Sequence, residues 1–169
     1  MTVLPDSSCP RLQPSIVDCT NLGWREWLAL PSLGIASIKA KLDTGARSSA
    51  LHVEALETFR QDGVLQVRFA VRPRRHGSRV IACCVPVLDC RPVTDSGGHR
   101  SERWFIRTDI TLAGLQFSTE MNLTDRRAML FPLLLGRSAL DGRFRVDPAL
   151  SYTCPRPLRS VRPNPEESA

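Results

Sequence analysis

Lys41-Leu42-Asp43-Thr44-Gly45-Ala46-Arg47-Ser48-Ser49-Ala50-Leu51 is the stretch on which the reading of this chain turns. A β-type run at residues 35–42 precedes Asp43, and small residues follow it. Such a run delivers the aspartate at the end of a strand. Gly45 then turns the chain and lets backbone N–H groups point at the carboxylate. A carboxylate held in this way can activate a water if a second carboxyl group shares the proton. Asp-Thr-Gly alone is also an ordinary turn. Its weight comes from context: the strand before it, the small residues after it, and a second apolar-glycine element downstream.

That second element is Met129-Leu130-Phe131-Pro132-Leu133-Leu134-Leu135-Gly136-Arg137-Ser138-Ala139-Leu140, an apolar strand that ends in Gly-Arg and runs into a short helix near residues 137–141. Elsewhere the period is that of half-buried strands. Leu65, Val67, Phe69 and Val71 share one face of residues 64–71, after an Asp62-Gly63 turn signal. Residues 79–88 read as the partner strand, beyond a basic loop at 73–78. Trp104, Ile106, Ile110 and Leu112 alternate within 102–112; Gly114 turns the chain, and Leu115, Phe117, Met121 and Leu123 alternate after it. Residues 23–30 read as a first strand, stopped by Pro31. Many short strands separated by turn signals predict an all-β barrel or sandwich.

The chain has 169 residues, the length of one domain. Prolines at both ends set its expected limits: a flexible arm at 1–17, the folded domain at 18–153 and a disordered Pro-rich tail at 154–169. The net charge is +6, and of 23 basic residues only Lys39 and Lys41 are lysines. Arginine suits bidentate capture of carboxylate or phosphate, which points to an acidic partner, although a bias toward arginine codons would give the same composition. Aromatic residues are only 6%, with no aromatic-basic interleaving, which argues against generic nucleic-acid binding. None of the six cysteines has zinc-ribbon or Cys-x-x-Cys spacing. With no signal peptide and no transmembrane-length apolar run, the expectation is a cytoplasmic protein with reduced thiols and no membrane partner.

Four segments in order resemble one family. They are Gly23-Trp24-Arg25-Glu26-Trp27, residues 38–47 around Asp43, Val93-Thr94-Asp95-Ser96-Gly97-Gly98-His99-Arg100, and Leu134-Leu135-Gly136-Arg137 through Phe144-Arg145-Val146-Asp147-Pro148. They look like the RimB-like proteins, also called ATP-dependent zinc proteases, which are bacterial retropepsin-like aspartic peptidases associated with ATP-grasp glutamate ligases. The resemblance covers about residues 17–152. It implies a closed β-barrel of acid-protease type in which the apolar strand passes beneath the Asp-bearing loop. It also implies hydrolysis of acidic peptides, including glutamate tails added to a protein by such a ligase.

On that resemblance Asp43, Thr44 and Gly45 are the catalytic loop, with Thr44 tying its hydroxyl to a neighbouring loop. Gly136 and Arg137 support the crossing. The second carboxyl comes either from Asp43 of a second copy in a symmetric homodimer or from Asp95-Ser96-Gly97 in cis. Pro92 and Gly97-Gly98 suggest a mobile loop over the site, with Asp95, Ser96 and His99 in positioning roles beside Ala46. Arg47, Arg103 and Arg107 are candidate substrate ligands, and Arg126 and Arg127 would extend a basic groove. The alternative for Arg47 is a surface pair with Glu54 or Glu57. No cofactor is assigned: there is no Gly-x-x-x-x-Gly-Lys-Ser/Thr loop, and His52, His76 and His99 show no metal-ligand spacing. Two other classes stay open, a non-catalytic basic β-barrel that binds acidic peptide or RNA, and a metallohydrolase using His99, His52 and carboxylates.

Overall fold

The computed structural model describes residues 19–74, 77–95, 97–125 and 130–157. The arm at 1–17, tail residues 158–169, His76, Ser96, Arg126 and Arg127 lie outside the described residues. In chain order the strands are β1 (Thr20–Gly23), β2 (Arg25–Leu30), β3 (Ile35–Asp43), β4 (Ser49–His52), β5 (Glu54–Gln61) and β6 (Val64–Val71). They continue as β7 (Ile81–Pro86), β8 (Asp89–Thr94), β9 (Arg100–Leu112), β10 (Leu115–Thr124), β11 (Leu133–Gly136) and β12 (Phe144–Asp147). A 3₁₀ turn (Pro31–Leu33) and one short helix, α1 (Arg137–Leu140), complete the described elements. The all-β expectation and the helix after Gly136 hold.

The main sheet runs β10-β4-β11-β3-β2-β9-β8, and β9 also pairs with β10. The order from β10 to β9 therefore returns to its starting strand, leaving β8 outside the ring as an edge. The seam between β2 and β9 is thin, a single register pair at Ala29 and Thr111. A separate antiparallel sheet, β5-β6-β7, packs alongside, and β1 pairs in parallel with β12. Alternation decides which residues fill the interior. Val67, Phe69 and Val71 are buried from β6, and Ile106, Ile110, Leu112, Met121 and Leu123 from β9 and β10. The two-residue turns Asp62-Gly63 and Ala113-Gly114 both have positive φ (50° and 79°, 52° and 78°), the geometry that lets a tight hairpin follow the twist of its strands.

Two expectations need correction, and one strand was not foreseen. The first strand is broken at Trp24 into β1 and β2, which belong to different sheets. Residues 89–94 are not a loop: they form β8, paired with β9 from Asp89↔Phe105 to Thr94↔Arg100. Pro92 is tolerated because β8 is an edge strand, where a missing N–H costs no ladder bond on the open side. The loop shrinks to residues 95–99. Strand β5 matches no sequence expectation. It is mostly exposed, and a register shift between Glu54 and Glu57, with Ala55 at φ 51°, breaks its alternation. Among the described residues no helix is long and apolar enough to cross a membrane, and the five described cysteines are free.

Candidate active site

Asp43 ends β3, and its position is fixed by what lies on either side. Strand β11 inserts between β3 and β4, parallel to the first and antiparallel to the second. Gly136 is in register with Asp43. Its N–H donates to the buried Ser49 hydroxyl at 3.1 Å. The next two N–H groups, of Arg137 and Ser138, donate to the carbonyls of Ala46 (2.8 Å) and Arg47 (3.1 Å). The strand thus passes directly against the Asp-bearing loop. A Cβ at position 136 would sit 2.6 Å from the Ser48 carbonyl, which explains the glycine. On the other side of β3, Leu42 N–H donates to the Trp24 carbonyl at 2.8 Å.

Within the loop, Asp43 Oδ1 accepts the N–H groups of Gly45 (3.0 Å) and Ala46 (3.2 Å). Oδ2 lies 3.4 Å from Lys41 Nζ. Thr44 is exposed, and its hydroxyl makes no hydrogen bond among the described residues; Ser49 makes the tie that was expected of it. The loop opens on a cleft of about 930 Å³. Of the sequence candidates, Asp43, Gly45, Ala46, Arg47, Asp95 and Arg103 line it. Arg107 does not: it is 63% exposed and pairs with Glu120 at 3.1 Å. Glu54, the surface partner considered for Arg47, is taken by Arg72.

The far wall of the cleft comes from β8, β9 and β10, and sequence reasoning missed most of it. Asn122 is 1% exposed. Its amide donates to the Ser49 carbonyl at 2.7 Å, and its oxygen accepts from Arg103 Nη1 at 3.2 Å. One buried side chain therefore joins a cleft arginine to the Asp43 loop. Arg91 stacks 4.0 Å above the Phe105 ring and pairs with Asp89 and Glu120, each through Nη2, at 2.8 and 2.9 Å. The Arg91 guanidinium, and then that of Arg107, hold the Glu120 carboxyl below its ordinary pKa. The only local signal was register: Phe105 sits off the apolar stripe of its strand.

Asp95 caps the β8–β9 hairpin. Its Oδ1 accepts the N–H of Gly97 (2.9 Å) and His99 (3.0 Å). Donation from the His99 N–H keeps its carboxyl below the ordinary aspartate range. His99 itself is 86% exposed and lies 3.5 Å from Asp95. His52 sits apart from it, 3.8 Å from Asp125. Among the described residues no three His, Cys, Asp or Glu side chains converge to hold a metal ion. The donors among the described residues do not fit a zinc site.

Glu26, also missed, is fully buried yet does not line the cleft. Its carboxylate accepts Gly23 N–H (2.8 Å), Thr153 N–H (2.9 Å) and hydroxyl (2.6 Å), and Cys154 N–H (3.3 Å). It straps the final described segment to β2. Residues 154–157 continue that strap, where Arg156 reaches Ser37 at 2.9 Å.

Residues 21–157 match the family described as RimB-like, "Retropepsin-like aspartic endopeptidase RimB". A probable alpha-L-glutamate ligase of Desulfotalea psychrophila is 42% identical over 76% of this chain and 28% of its own length. One from Shewanella pealeana, with the same description, is 36% identical over 78% and 29%. The chain thus spans less than a third of these curated relatives. A crystal structure of Lpg0085, a Legionella pneumophila protein of unknown function, superposes with TM-score 0.67 at 29% identity, covering 79% of this chain and 97% of that one.

Proposed function

We propose a function from one premise: the chain belongs to the RimB-like family of retropepsin-like aspartic endopeptidases. It is an aspartic-type peptidase that hydrolyses acidic peptides and trims glutamate tails. Asp43 takes a proton from a water whose oxygen adds to the scissile carbonyl carbon. A second, protonated carboxyl gives its proton to the carbonyl oxygen. Collapse of the tetrahedral species then releases an amine and an acid. The observation that carries this reading is the crossing: Asp43 at a strand end, held by two N–H groups, with β11 against its loop.

The second carboxyl comes from Asp43 of another copy. Three other carboxylates line the cleft, and each has a partner already. Asp95 is held by its own turn, Glu120 by two arginines, and Asp125 lies beside His52. A second Asp43 on a two-fold axis instead brings an identical loop and β11 crossing to face the first. The exposure of Thr44 at the loop tip supports contact with a second copy.

The substrate class follows from charge. Arg47 and Arg103 line the cleft without a carboxylate partner among the described residues, whereas Arg91 is neutralised. Two cations without acidic partners favour an acidic peptide. The relatives named as probable glutamate ligases support work beside such a ligase, on the tails it builds, and a cytoplasmic, ATP-grasp partner goes with that reading.

One observation favours a second reading. Lys41 sits on Asp43 Oδ2, so the loop of a single copy is already neutralised; a non-catalytic binding module for acidic peptide would look the same. One experiment separates them: full-length protein with an oligoglutamate peptide and a neutral peptide of equal length, with and without chelator, for wild type and Asp43→Asn. The peptidase reading expects chelator-resistant cleavage of the acidic peptide that the substitution abolishes. Binding without cleavage, equal in both proteins, would overturn it.

A further inference from the structure

Residues 37, 39, 41 and 43 alternate along β3 with the buried Ile38, Ala40 and Leu42, so they share the outward face of that strand. They are Ser37, Lys39, Lys41 and Asp43; both lysines of the protein stand in this one row. Lys41 reaches Asp43 at 3.4 Å, so the row ends at the carboxylate of the cleft. At its other end Ser37 accepts from Arg156, which stacks 4.3 Å over Trp27. Lys39 lies 5.1 Å over the same ring and 5.5 Å from that of Tyr152. Beyond Ser37 the row opens into a second cavity of about 320 Å³. Arg74, Arg79 and Arg156 line it, and no described carboxylate does. Lys39 and Arg156 are exposed and form no ion pair among the described residues.

We propose that this row is an extended binding site, outside the cleft, for the acidic chain leading up to the cleavage point. The inference rests on the peptidase reading above and adds to it a length requirement. Alternate residues of a strand repeat every ~6.7 Å, and so do the side chains on one side of an extended peptide. An acidic peptide laid along β3 therefore meets Ser37–Arg156, Lys39 and Lys41 in step, over about 20 Å, before reaching Asp43. Packing on Trp27 and Tyr152 holds the cations in place and lowers the entropy lost on binding. The same packing argues against nucleic acid. The ring faces that bases would stack on already carry Lys39, Arg156 and Arg25.

The test compares a short oligoglutamate with one of about ten residues, long enough to cover the row and enter the cleft. Binding by fluorescence anisotropy and steady-state hydrolysis are measured for the full chain and for Lys39→Gln, Lys39→Arg and Arg156→Gln. Wild type is expected to prefer the long peptide, increasingly so at low salt. Each neutral substitution weakens long-peptide binding about two- to fivefold and raises its KM with kcat unchanged. The short peptide is unaffected, and Lys39→Arg behaves as wild type. Equal affinity for both lengths, or neutral variants that bind the long peptide as wild type does, would overturn the proposal. So would a single-stranded oligonucleotide of equal charge that binds more tightly and loses affinity in the same variants. Binding is read without turnover. Length-dependent binding with no hydrolysis supports the row and contradicts the peptidase; hydrolysis with no length dependence does the reverse.

Discussion

Asp43-Thr44-Gly45 and Asp95-Ser96-Gly97 are nearly the same sequence, and their aspartates accept similar hydrogen bonds. In each, Oδ1 accepts the N–H two residues on, at 3.0 Å from Gly45 and 2.9 Å from Gly97, and a further N–H beyond it. The difference lies in their surroundings. Beside Asp43 runs β11, with Gly136 pressed against Ser48 and hydrogen-bonded to the buried Ser49. Asp95 stands on a hairpin tip with a half-exposed side chain. The motif is a turn; tertiary support makes one copy a candidate reaction centre and leaves the other as a hairpin cap.

Substitutions can break or sharpen this contrast. The largest effect is expected from Asp43→Asn, which lowers kcat on an acidic peptide by about 10²–10⁴-fold, whereas Asp95→Asn changes it little. Steady-state rates of the two variants check this directly. Next comes Gly136→Ala, whose Cβ meets backbone at 2.6 Å. It is expected to cost roughly 1–3 kcal/mol in denaturant unfolding. The matching Gly97→Ala meets the exposed His99 ring at 3.1 Å, which can swing away, and costs much less.

Asn122→Ala follows. It leaves the Ser49 carbonyl and Arg103 without their partner, for about 1–3 kcal/mol of stability and a raised KM for acidic substrate. The smallest effect is the titration of Asp95. Its folded pKa is lowered, so its contribution to stability is present above the unfolded value and lost as pH falls through the folded one. Carbon-detected NMR should place Asp95 below the ordinary aspartate range, and Asp95→Asn should remove only a slight acid-side loss of stability.

Much of the frame was legible because it rests on local pattern. The alternation of β6, β9 and β10, the Asp62-Gly63 turn, and the apolar run into Gly136-Arg137 each predict their element. The cleft wall was hidden because register across strands made it. Nothing near Asn122 in sequence says that it will touch Ser49, 73 residues away. Pro92 and the paired glycines suggested a loop where the open side of an edge strand accommodates the proline. Glu26 was quoted only as part of a motif, yet it is the carboxylate that fastens residues 153–154.

The central claim is that Asp43 acts on a carbonyl that becomes tetrahedral. It is tested most directly by binding of an acidic peptide whose scissile carbonyl is replaced by a tetrahedral carbon bearing a hydroxyl. Wild type and Asp95→Asn should bind it at least ~10²-fold more tightly than the parent amide, and Asp43→Asn should lose that preference. Equal binding of both peptides by wild type and Asp43→Asn would contradict the account.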